Sequence, residues 1–157
     1  ELYNHPKVKA MVSFTKGEGF GRPLLEFGLS KKPIIASGWS GQLDFLNPDY
    51  TILIPGKLEP VHQSAANKWL LPQTSWFAPD VTQINRVFKN VYEKYKSLTG
   101  KAKQQGYYVK TNFSFDHMKE LVGNILDSNL PKFAKKMDLA MPTDIKFNTD
   151  VQLPKLK

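Results

Sequence analysis

Gly17, Gly19 and Gly21 punctuate a short segment that also carries Glu18 and Arg22, with Glu26 a little further along. Glycines spaced this way let backbone N–H groups of Phe20, Gly21 and Arg22 approach an anion closely. Ahead of a helix they face a phosphate with donors that lack intrahelical partners. Carboxylates are poor neighbours for phosphate, so Glu18 and Glu26 need another task. Hydroxyl groups of a sugar or ribose are natural donors to carboxylate oxygens. A diphosphate with sugars attached therefore suits the whole set better than a bare phosphate. Arg22 either grips that phosphate in bidentate fashion or is solvent-exposed in an i,i+4 pair with Glu26. The bland alternatives are a tight turn with no ligand and an exposed turn glutamate.

A second loop, Gly38-Trp39-Ser40-Gly41, leaves the end of an apolar run. Ser40 and the backbone of Gly38 and Gly41 suit phosphate or sugar oxygens. Trp39 suits stacking on a base or sugar face, or simple capping of the core. His5, His62 and His117 show no metal-ligand spacing, and no metal is expected. His62 facing an acceptor is a lesser possibility. No nucleophile elbow or Walker pattern is present.

These loops need elements to hold them. Val8–Thr15 reads as a buried strand, Gly21–Ser30 as a helix opened by Pro23, and Pro33–Ser37 as a second strand. A short helix is expected over Gln42–Leu46 and a third strand over Tyr50–Ile54. Continuous apolar runs alternating with helices predict an α/β fold, a Rossmann-like parallel sheet with flanking helices. Residues 55–79, broken by Pro55, Gly56, Pro60, Pro72 and Pro79, read as an ordered excursion because Trp69, Leu70, Leu71, Trp76 and Phe77 are too apolar for a floppy loop. Asp80 caps a helix reaching about 97, with Ile84, Val87, Phe88, Val91, Tyr92 and Tyr95 at helical spacing. A short helix over Lys101–Lys110 follows. Ser114 caps another, with Met118, Leu121, Val122, Ile125 and Leu126 on one face. The domain is expected to close at 127. Residues 128–157 read as an extended tail, rich in proline and lysine, with one short strand over Ile145–Val151.

Glu18-Gly-Phe-Gly-Arg-Pro-Leu-Leu-Glu26 resembles the E-x7-E element of family-four retaining glycosyltransferases, which have the GT-B fold. Arg22 stands where that family usually has Leu or Ile. Lys32-Pro-Ile-Ile-Ala-Ser-Gly38 resembles its G-K-P-V-I-A-S strand, with Lys31 in place of the glycine. Trp39 to Phe45 resembles the loop and helix start after that strand, and Phe113-Ser-Phe-Asp-His-Met118 its F-S-W element. The resemblance covers roughly residues 8–127. It implies the C-terminal, donor-binding domain, in part: Glu18 near the donor sugar as the catalytic residue; Gly19, Phe20, Gly21, Arg22, Gly38, Trp39, Ser40 and Gly41 around the donor; and Glu26 on the ribose. It implies a nucleoside diphosphate sugar as substrate, transfer with retention, no bound metal, and an acceptor that is a glycan, lipid or protein. The family's N-terminal domain and its upstream Arg and Lys pair have no counterpart here, so the chain is expected to be a fragment.

Composition sets wider bounds. With 157 residues and 41% hydrophobic content the chain can build one core. No cysteine occurs, which excludes disulfides and fits a cytoplasmic setting. A net charge of +8 comes from scattered lysines. It predicts no specific nucleic-acid site, but allows weak attraction to an anionic membrane. Two other functions suit the residues: a degenerate donor domain kept as an assembly module, and a nucleotide-dependent isomerase or phosphorylase of similar fold.

Overall fold

The computed structural model describes residues 1–131. Three strands, β1 (Met11–Ser13), β2 (Ile34–Ser37) and β3 (Ile52–Ile54), form a parallel sheet in the order β1-β2-β3. Ile35 is the register point, opposite Val12 on one side and Ile52 on the other. All of β2 is buried. That is why Ile34–Ala36 is continuously apolar: as part of the central strand it is covered on both faces. Ile34 and Ala36 point into one core with Phe45, Leu46 and the Leu24 and Phe27 side chains of helix α1 (Arg22–Gly28). Ile35 and Ile54 point into the other, against Val91 of helix α2 (Val81–Glu93). The α/β architecture with a parallel sheet is as the alternation predicts.

The elements differ from expectation in detail. Strand β1 is shorter than Val8–Thr15, since only Met11–Ser13 can pair with β2. Helix α1 ends at Gly28, and Lys31 then adopts a left-handed backbone with φ 58°. The helix from Asp80 stops at Glu93 and gives way at Lys94 to α3 (Tyr95–Asn112), so the expected short helix begins six residues early. Ser114 caps α4 (Phe115–Asn129), its hydroxyl accepting the His117 N–H at 3.2 Å. Helix α4 runs past the expected boundary at 127. The rest of the expected tail, including the strand over 145–151, lies outside the described residues. The apolar face of α4 is exposed, with Phe115, Val122 and Ile125 82%, 49% and 52% accessible.

The excursion is a hairpin, which the sequence reading did not foresee. Strands β4 (Gly56–Pro60) and β5 (Ser75–Pro79) pair antiparallel, with Leu58 opposite Phe77. Pro55, Pro60 and Pro79 sit at strand ends, where a missing N–H matters least, and Pro72 lies in the connection between the strands. Gly56 is required by contact, since a Cβ there would fall 2.2 Å from the Ala78 carbonyl oxygen. The Phe77 N–H donates to the Lys16 carbonyl at 2.9 Å, fastening the hairpin to the loop after β1.

Candidate functional site

The loops after β1 and β2 leave the C-terminal edge of the sheet and meet. Ser40 makes the junction. Its hydroxyl accepts the Glu18 N–H at 3.1 Å and donates to the Glu18 carbonyl at 2.5 Å. The Gly41 N–H donates to the same carbonyl at 3.2 Å. Gly41 lies so close to Gly19 that a Cβ would sit 1.9 Å from the Gly19 carbonyl oxygen. Ser40 itself holds φ 76° and ψ −166°. That backbone region is essentially reserved for glycine and costs a serine on the order of 1–3 kcal/mol. The two hydroxyl bonds to Glu18 hold it there.

Gly21 turns the chain into α1 with φ 87°, a left-handed conformation that favours glycine. A Cβ there would meet the Glu18 side chain and Gln42, each at 3.3 Å. Glu18 therefore packs over the start of α1, with its backbone tied to Ser40. Leu24 and Leu25 both donate to the Gly21 carbonyl, at 2.9 and 3.2 Å. At seven residues α1 is shorter than the expected 21–30. Its dipole is correspondingly small, so any pull on phosphate comes from loop N–H groups and the Arg22 guanidinium. Phe20 packs away from the turn, on Phe45 and Phe113, with ring centroids 5.1 and 6.5 Å apart.

Arg22 and Glu26 pair at 3.1 Å, the i,i+4 bridge allowed by their spacing, with side chains 81% and 49% exposed. A pair this exposed is worth little to stability, which leaves both groups available to a ligand. Glu26 also edges a groove of about 250 Å³ between α1 and the end of α3, beside Leu25, Phe113 and Ser114. Hollows at the hairpin base and along α2 are lined by neither Glu18 nor residues 38–41. Glu18 and Trp39 are linked through the loop backbones, by the bonds of Ser40 to Glu18. The strand order runs in one direction, so the site rests on its place at the strand ends, without the reversal that marks a switch point.

Beneath the junction, Gln42 is fully buried and donates to the Ser37 carbonyl at 3.0 Å. His62 serves locally, accepting the Ser64 N–H at 3.2 Å to cap the turn Gln63–Ala65. Two neighbours escaped the sequence reading. Lys16, two residues before Glu18, places its ammonium 3.5 Å from the centre of the Trp76 ring. Phe77 stacks on Trp39 with ring planes 3° apart. Lys16 was legible as a cation in the glycine-rich segment, whereas Phe77 is remote in sequence and carries no local signal. Among the described residues no three of His, Cys, Asp and Glu gather as metal ligands would, and no helix is long and apolar enough to cross a membrane.

No family model, curated protein or solved structure matches this chain.

Proposed function

We propose that the chain binds a nucleoside diphosphate sugar and serves sugar transfer with retention to an acceptor. The observation that carries this reading is the Glu18–Ser40 junction, which ties the backbone of the glycine-rich loop to the loop that carries the exposed indole of Trp39, at the strand ends. Each part then has a task. Loop N–H groups and Arg22 take the diphosphate, Glu26 the ribose hydroxyls, and Glu18 the sugar. In the transfer, the bond from the sugar C1 to the diphosphate oxygen breaks and a bond from C1 to an acceptor oxygen forms. The acceptor proton leaves with the diphosphate. Glu18 supports the positive charge that builds near C1, as carboxylates do in oxocarbenium-like transition states. No metal enters this reading. The acceptor and further positive charge for the departing diphosphate are expected from a second domain.

The division of roles is tested with two variants. Glu26→Ala should weaken the nucleoside diphosphate and its sugar conjugate equally, about tenfold for ribose contacts of 1–2 kcal/mol. Glu18→Gln should leave the bare diphosphate within about twofold and remove the increment contributed by the sugar. Equal losses for both ligands in both variants refute the assignment.

A second reading, a non-catalytic assembly module, is favoured by the exposed apolar face of α4. Concentration-dependent self-association in sedimentation, without nucleotide binding, would select it.

A further inference from the structure

Trp39 is fixed from two sides. Its indole lies parallel to the Phe77 ring with centroids 5.7 Å apart, yet it remains 40% exposed. Phe77 is buried, and Leu58, directly opposite it in the hairpin, shares its face. The Phe77 N–H is bonded to Lys16, in the same loop as Glu18. Ser40, the residue after Trp39, is bonded twice to Glu18. The indole and the Glu18 backbone are therefore held in one frame, with Phe77 against one ring face and two fifths of the residue still accessible.

We propose that the open face of Trp39 is a stacking platform for a pyranose ring, with Phe77 as its positioning residue. A pyranose presents C–H groups on its face and hydroxyls around its rim. A flat indole buries the first, and carboxylate oxygens accept from the second, the task given to Glu18. A nucleobase also stacks, but its edge needs donors and acceptors to read it. The polar side chain next to Trp39 is Ser40, whose hydroxyl is already engaged as both donor and acceptor. This inference rests on the sugar-transfer reading only in giving Glu18 the sugar end. The pyranose comes from either the donor or an acceptor glycan.

The test is the set of indole N–H signals from Trp39, Trp69 and Trp76 in the ¹⁵N-labelled 157-residue chain, assigned with Trp→Phe variants at each. Ligands are UDP, GDP and ADP, their hexose conjugates, and methyl glucosides, mannosides and galactosides. The Trp39 signal should shift with a conjugate beyond any shift from its diphosphate alone, which marks the donor hexose. Alternatively it should shift with a free glycoside added to the diphosphate-bound chain, which marks an acceptor. Phe77→Leu should weaken the sugar-dependent shift about fivefold, as expected for a lost aromatic stack, and leave diphosphate affinity within about twofold. Trp39→Ala removes the Trp39 signal and is read by isothermal titration instead: if Phe77→Leu fails to fold, this variant should abolish the affinity gained from the sugar and leave diphosphate affinity within about twofold. Trp69→Phe should change neither.

Equal Trp39 shifts from diphosphate and conjugate would place the base there and overturn the proposal. So would diphosphate binding with no sugar-dependent shift, while leaving the donor-site reading intact. A Trp39 shift by glycosides without any nucleotide binding would keep this inference and defeat that reading. No binding of any saccharide would overturn both.

Discussion

Gly41→Ala should pry the two site loops apart. The added Cβ would lie 1.9 Å from the Gly19 carbonyl oxygen, 2.7 Å from its carbon and 3.0 Å from the Phe20 Cα. All three are backbone atoms, so no rotamer change relieves the contact. Since Cβ contacts essentially never fall below 3.0 Å, the glycine-rich loop must retreat by about 1.1 Å or more, the difference between the two distances. That retreat takes the 3.2 Å bond from Gly41 to Glu18 out of range and pulls Glu18 from Ser40. Overpacking costs about 1–3 kcal/mol and each lost hydrogen bond about 1 kcal/mol, for a total of roughly 2–5 kcal/mol. The backbone itself is not at fault, since Gly21 is the glycine with positive φ. The assay is urea denaturation followed by tryptophan fluorescence. Gly17→Ala and Gly19→Ala are controls, because a Cβ at either meets nothing within 4 Å. They should stay within about 0.5 kcal/mol of the parent. Gly41→Ala as stable as Gly19→Ala would refute the loop contact. Gly19→Ala should still impair diphosphate binding, as its methyl group would stand where a ligand approaches.

Ser40→Ala loses both hydroxyl bonds to Glu18 without relieving the backbone, whereas Ser40→Gly relieves it. Ser40→Gly should therefore be the more stable by about 1 kcal/mol or more in the same denaturation assay; the reverse order would argue against strain. Gln105 bridges the Phe45 carbonyl at 2.6 Å and the Asn47 N–H at 3.1 Å while almost fully buried. Gln105→Leu orphans both backbone groups and should cost about 2–4 kcal/mol, against little change if water reaches them. The Asp80 carboxyl is held below its usual pKa chiefly by the Thr82 hydroxyl, then by the Thr82 and Gln83 N–H groups, against an opposing effect of burial. Its contribution is thus full above the ordinary carboxylate range and lost as pH falls through the lowered value. The Tm deficit of Asp80→Ala should be largest near neutrality and shrink below about pH 4; a deficit that grows in acid would contradict the cap.

What the sequence announced were features whose cause is local. Ile34–Ala36 had to be apolar because both faces are covered, Pro23 marks a helix start through its fixed backbone, and Asp80 and Ser114 mark theirs through side-chain caps. Long-range causes stayed hidden. The apolar spacing of Ile84, Val87, Val91 and Tyr95 runs straight through Lys94, so the break between α2 and α3 has no periodic signal. The hairpin strands are short, bounded by proline, and separated by residues 61–74, far longer than the tight turns that identify a hairpin. The site divides the same way. Glu18, Arg22 and Glu26 were visible as residue types at a spacing, including the Arg22–Glu26 bridge. The Ser40 bonds span 22 positions and the Phe77 stack crosses to another sheet, so neither can be read from spacing.

Isothermal titration of the chain with UDP, GDP and ADP, each with and without its hexose, tests the central claim most directly. The account predicts that one nucleoside diphosphate binds at a single site and that its hexose conjugate binds more tightly. It also predicts that Gly41→Ala, by separating the loops, weakens both. Failure of all six ligands to bind, or binding that Gly41→Ala leaves unchanged, would contradict it.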